Sequence, residues 1–159
     1  MSHKHSSRLL HNGFTLVELI IVIALLGIAL AIAAPSFGNY LERHNLRAAA
    51  RAISSDIFLT RARAVSENKQ YRMTFDQADN SYCVLKRNED DTAWDPAGPK
   101  RSLYAFSSGL YFNFEDKINI NFQTRGTVTA RTISIRNKDR QADIVINFTG
   151  RNYVAFTPK

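Results

Sequence analysis

The chain has 159 residues, enough for one ordinary domain. A single cysteine, Cys83, excludes an intramolecular disulfide and a cysteine-rich metal site, and three of the four histidines (His3, His5 and His11, with His44 the fourth) fall in the first eleven residues, so metalloenzymes and thiol–disulfide enzymes are disfavoured. Lys and Arg number 21 against 14 Asp and Glu, and the formal charge of +7 favours polyanions or anionic membrane surfaces as neighbours.

Residues 1–13 are polar and basic, with Lys4 and Arg8 as fixed charges and no acid. The chain then turns apolar. Leu19 to Ala34 carries no charge, and Phe14, Leu16 and Val17 extend the run backwards past Thr15 and Glu18. Residues 14–35 would form a helix of about 33 Å, enough to cross a hydrocarbon core of about 30 Å. The basic leader stays on the cytoplasmic side by the positive-inside rule. A cleaved secretory signal is the alternative, since Ala31, Ala33 and Ala34 supply small residues after the apolar run. Against it, helical periodicity continues well beyond that point.

Glu18 stands inside the apolar stretch. An ionised, unpaired carboxylate is costly in lipid, so it needs either headgroup exposure or a positive partner. A new N-terminal amine on a neighbouring chain would serve, if cleavage after Gly13 made Phe14 the terminus.

The run Gly13-Phe14-Thr15-Leu16-Val17-Glu18, followed by LIIVIALLGIALAIAAPSF, resembles the class III signal of type IV pilins and type II secretion pseudopilins. The resemblance implies cleavage after Gly13 by a prepilin peptidase and N-methylation of Phe14. It implies that Glu18 neutralises the terminal amine of an adjacent subunit, and that Pro35 is the family's stem proline. It also implies a leader over 1–13, a transmembrane and assembly segment over 14–36, and a periplasmic domain over 37–159. The implied partners are other pilins or pseudopilins, the peptidase, the inner membrane before assembly and its assembly machinery. No cofactor is implied. By its own chemistry, Pro35 lacks an N–H and should loosen or kink the helix without ending it.

From Asn39 to Val65 the sequence reads as an amphipathic helix. Leu46, Ala49, Ala50, Ile53, Ile57 and Ala64 share one face, and Arg43, Arg47 and Arg51 run along an adjacent one. Ser66 to Asn68 reads as the helix end. Lys69–Phe75 and Ser81–Arg87 then form a hairpin around Asp76–Asn80, with Tyr71, Met73 and Phe75 on one face. Cys83, in mid-strand with no histidine near it in sequence, reads as a buried structural thiol.

Residues 88–100 carry four acids, two prolines and a glycine, and read as a surface loop. There Trp94 either anchors the loop or meets a subunit or ligand. Further strands are expected over 109–114, 118–122, 127–136, 143–148 and 152–156. The expected architecture is α+β: a pilin fold whose long helix packs its second half on an antiparallel sheet of about six or seven strands. The segment RARAVSENKQY, the group Phe122 with Gly126-Thr127-Val128, and Thr149-Gly150-Arg151 resemble the minor-pilin group containing FimT, FimU and GspH.

The positive charge concentrates late. Residues 117–159 hold eight bases and two acids, against six bases and nine acids over 66–116. Arg136, Lys138 and Arg140 read as one turn presenting three bases, which suits the phosphates of DNA without base specificity. Arg151 after Gly150 would let backbone and guanidinium approach a phosphate. FimT-like pilins bind DNA through a Gly-Arg-x-Arg motif. Gly150 and Arg151 match its first half, but Tyr153 stands where the second arginine would be. Tyr153 either stacks on a base or packs into the sheet. No catalytic motif is present, so the expected function is a minor pilin that contacts double-stranded DNA, with a GspH-like secretion pseudopilin as the alternative.

Overall fold

The computed structural model describes residues 14–88, 92–114 and 116–158, and only the backbone of residues 34–36 and 158. The leader and Gly13 lie outside the described residues, as do Glu89, Asp90, Asp91, Glu115 and Lys159. The chain divides into two compact units, Met1–Asn39 and Tyr40–Lys159. One helix, α1 (Leu16–Ser66), contributes to both, and its backbone is helical through Pro35.

In the first unit, residues 16–33 form an apolar helical span with none of its surface buried. In the second unit, residues 40–66 are amphipathic as the periodicity requires. Leu46, Ala49, Ala50, Ile53, Ile57 and Ala64 are all buried, and Thr60 completes the stripe by turning its hydroxyl to the Asp56 carbonyl at 2.7 Å. The helix stops in a Schellman arrangement. Asn68 takes φ +50°, Lys69 N–H donates to the Ala64 carbonyl at 3.2 Å, and Asn68 N–H donates to that of Val65 at 3.4 Å.

Among the described residues nine strands follow: β1 (Gln70–Asp76), β2 (Ser81–Arg87), β3 (Asp95–Pro96), β4 (Arg101–Ser102), β5 (Tyr111–Phe112), β6 (Ile118–Phe122), β7 (Arg131–Arg136), β8 (Arg140–Ile146) and β9 (Asn152–Pro158). All pairings are antiparallel, but they form two sheets where a single one was expected. The first runs β3-β2-β1-β6 with β4 beside β2, and the second runs β5-β7-β8-β9. Residues 127–129 join them. Val128 bridges to Phe122, and its N–H donates to the Phe148 carbonyl at 3.0 Å.

The core lies between the helix stripe and the inner faces of both sheets. Tyr71, Met73, Phe75, Ile120 and Phe122 come from the first sheet, and Phe112, Ile133, Ile135, Ala142, Ile144 and Ile146 from the second. Phe75 stacks on Tyr82 at 5.4 Å and meets Phe112 edge-on at 5.6 Å, so one ring ties the two sheets together. Ala49, Ala50 and Ala64 are wholly buried within this core.

Several expected details change. The strand expected over 109–114 shrinks to two residues, and the one over 127–136 begins only at Arg131. The strand expected from Asp143 begins at Arg140. Cys83 is half-buried on the outer face of the first sheet, opposite Thr74, because the alternation that buries Tyr82 turns its neighbour outward. Trp94 does anchor its segment. The Arg72 and Arg87 guanidinium carbons lie 4.2 and 4.6 Å from its ring centroid, and β3 then pairs with β2.

Candidate assembly site

Thr15 starts the apolar helix. Its hydroxyl accepts the Glu18 N–H at 3.2 Å, and its carbonyl accepts the Leu19 N–H at 3.2 Å. This is the N-cap half of a Thr-x-x-Glu pattern, and it puts Glu18 in the first turn, where a carboxylate complements the helix dipole. Phe14 precedes the helix and is exposed, as are Leu16, Val17 and Leu19. A carboxylate held four residues from Phe14, within an apolar rod that buries nothing in its own chain, is suited to meeting another chain.

The second unit carries two polar locks, one joining the helix to the first sheet and one joining it to two loops. At the first, Asp56 accepts the Tyr82 hydroxyl at 2.5 Å and two hydrogen bonds from Arg101, at 2.7 and 2.9 Å. Burial and the Asp56 carboxylate beside it push the Tyr82 phenol well above its ordinary range. The groove here, about 200 Å³, is lined by Leu59, Arg63, Val84, Ala97 and Pro99 besides these residues. At the second, Arg61 Nε donates to the Gly126 carbonyl at 2.8 Å. Its side chain also fills the space beside Gly150, where an added Cβ would overlap Arg61 Cδ and Nε. Both glycines have positive φ, +82° and +77°. Asp56 and Arg61 carry no sequence signal that separates them from ordinary helix-surface charges.

The candidate DNA contacts do not form one cluster. Arg136 lies on the outer face of the second sheet, where its Nε donates to Gln141 Oε1 at 2.5 Å. Gln141 in turn donates to Asp143 at 2.7 Å. Lys138 is exposed at the hairpin tip, beside a cleft that Glu42 also lines. Arg140, in phase with Ala142 and Ile144, is on the face turned to the helix. Arg151 is exposed, with its N–H on Asn147 Oδ1 at 2.8 Å. Tyr153 is 62% exposed on the outer face of β9 and does not enter the core. The bare Cα of Gly150 receives Arg61 from the helix.

Two family descriptions match the chain. Residues 8–34 match the prokaryotic N-terminal methylation motif. Residues 49–150, about two thirds of the chain, match the type II transport protein GspH. The chain belongs to the GspH family. That family lies within the type IV pilin and pseudopilin superfamily, whose members are structural proteins without catalytic activity. The GspH-family fold agrees with solved structures. The minor pseudopilin EpsH from the type II secretion system of Vibrio cholerae has a TM-score of 0.59 at 18% identity, covering 70% of this chain and 96% of that one. The type IV minor pilin FimU of Pseudomonas aeruginosa has a TM-score of 0.56 at 19% identity, covering 73% and 92%. At these identities the likeness is one of fold. The type IV major fimbrial protein FimA of Dichelobacter nodosus is 56% identical over 34 residues, which are 21% of this chain. The matched stretch spans only 22% of that relative's length. With one apolar span among the described residues, this GspH-family chain is a single-pass, inner-membrane-anchored prepilin-like protein with a periplasmic globular domain.

Proposed function

We propose that the protein is a GspH-like minor pseudopilin that takes its place in the filament of a type II secretion system through contacts with other pseudopilins. The observation that carries this reading is the GspH match over residues 49–150, which covers the periplasmic domain as well as part of the shared stem. Prepilin peptidase cuts after Gly13 and methylates Phe14. Glu18, held in the first helical turn by the Thr15 cap, then meets the terminal amine of a neighbouring subunit. Pro35 removes one backbone hydrogen bond from the stem and lets it adapt to packing. Residues 1–13, 14–36 and 37–159 serve as leader, membrane and assembly segment, and periplasmic domain. Deleting the gene and assaying secretion and natural transformation side by side tests the reading. Loss of secretion with intact transformation is expected, and the reverse would overturn it.

A second reading, a minor pilin that touches DNA, is favoured by the surplus of bases over 117–159 and by the exposure of Arg151 and Lys138. It predicts weak, salt-sensitive, sequence-independent binding of duplex DNA that falls when both residues are changed to Ala. Arg136 and Arg140 would contribute less, because Gln141 holds the first and the second is on the face turned to the helix. Tyr153, exposed beside Arg151 in sequence, would offer a stacking surface. Affinity unchanged in the double variant would remove this reading.

A further inference from the structure

Arg43 and Arg47 lie one turn apart on α1, and both are exposed. Arg140 opens β8 on the face turned to that helix. The three arginines line one cleft, together with Leu46, Phe156 and Thr157. The Arg47 guanidinium carbon sits 5.7 Å from the Phe156 ring centroid, so this side chain is already held over an aromatic floor and loses less freedom when it binds.

Among the described residues, no carboxylate lines the cleft. Among the described residues, the ion pairs join Lys100 to Asp79, Arg101 to Asp56 and Lys117 to Asp76, and none involves these three arginines. Gln141, also on the rim, spends its amide on Arg136 and Asp143. Three like charges around one cleft repel one another unless an anion sits among them. A carboxylate brings one charge and two oxygens, enough for one guanidinium fork. A phosphoryl group offers more oxygens and can be gripped from several sides at once.

We propose that this cleft is a binding site for a phosphoryl group, supplied by a phospholipid headgroup of the membrane that anchors the chain. Arg43 follows the apolar span by ten residues (33 to 43), and before assembly lipid phosphates are the phosphoryl groups that surround an anchored chain. The site holds whether the filament is a pilus or a secretion pseudopilus.

The test uses full-length protein in an uncharged detergent, followed by its thermal midpoint. Dihexanoyl-phosphatidylglycerol is titrated below its micellar concentration, and inorganic phosphate is titrated in parallel at constant ionic strength. A saturable rise with the lipid is expected. Arg43→Gln, Arg47→Gln and Arg140→Gln should each weaken it about tenfold or more, the loss of one charge-assisted contact. Arg140→Lys, which keeps the charge without the fork, should fall between, and Arg131→Gln, outside the cleft, should match the parent. Circular dichroism checks that each variant is folded. No saturable response to the lipid, or a response that all three Gln variants retain, would overturn the site. A response to inorganic phosphate alone would overturn the lipid source. Tighter binding of an oligoglutamate peptide than of the lipid would overturn the phosphoryl assignment in favour of an acidic protein partner.

Discussion

Arg61 fills the space beside Gly150 that any larger residue there would need, while its Nε donates to the Gly126 carbonyl at 2.8 Å. One helix side chain therefore fastens two loops, those before β7 and before β9. Gly150 has φ +77°, a conformation that also disfavours a Cβ. Gly150→Ala should therefore destabilise the protein by about 2 kcal/mol, from backbone strain and the displaced Arg61 hydrogen bond. Arg61→Ala alone should cost about 1 kcal/mol. The double variant should cost less than the sum, because removing Arg61 relieves the overlap. Denaturant midpoints of the four proteins measure this, and strict additivity would contradict the contact.

The Asp56–Tyr82–Arg101 lock makes a similar prediction. Tyr82 is buried and the Asp56 side chain is only 13% exposed, so breaking their bond strands polar groups away from water. Asp56→Ala should destabilise by about 2–3 kcal/mol, and Tyr82→Phe, which removes a donor without stranding one, by about 1 kcal/mol. Arg101 is more than half exposed and should matter less. Thermal unfolding of the three variants orders them.

Alkaline titration reports on two phenols. Burial and the hydrogen bond to Glu67, at 2.7 Å, push Tyr71 up to about 12, and Tyr82 is raised as well. Their folded values lie above the unfolded value, so their stabilisation is complete below pH 10; the Tyr71 share is lost as pH rises through about 12, and the Tyr82 share at higher pH still. Of the chain's six tyrosines, Tyr71 and Tyr82 should ionise late, together with unfolding. Absorbance near 295 nm shows this, and Tyr71→Phe and Tyr82→Phe should each shrink the late step.

At the acid end the sign is opposite. Lys117 beside Asp76 and Lys100 beside Asp79 hold both carboxyls below the usual range. Their contribution is present above the unfolded value near 4 and is lost as pH falls through the lowered folded values. Asp76→Asn should flatten the acid limb of the thermal midpoint against pH. An unchanged limb would mean that solvent screens the pair completely.

Much of this was legible in the sequence, for physical reasons. The six apolar helix positions are all buried because their 3.6-residue spacing leaves one face. The β1–β2 hairpin was legible because β1 alternates strictly and the polar Asp76–Asn80 turn separates it from a second β-rich run. β3, β4 and β5 were not, since two residues show no period and only pairing to a neighbouring strand makes them strands. Arg140 was read as part of a turn, whereas β8 begins there and phases it with Ala142 towards the helix. The Arg61 contact with Gly126 joins residues 65 apart, a distance at which local pattern carries nothing. Glu18 stood out for a different reason: it is a lone charge in an apolar run, and that is visible in one dimension.

The account rests on an apolar helix kept by the mature protein and presented from a processed Phe14. The direct measurement is the intact mass and N-terminal sequence of the protein recovered from the inner membrane of cells with a working prepilin peptidase. The expected result is a chain that begins at Phe14, carries one added methyl group at its amine and remains in the membrane fraction. A soluble periplasmic chain whose terminus lies near Pro35 would contradict it.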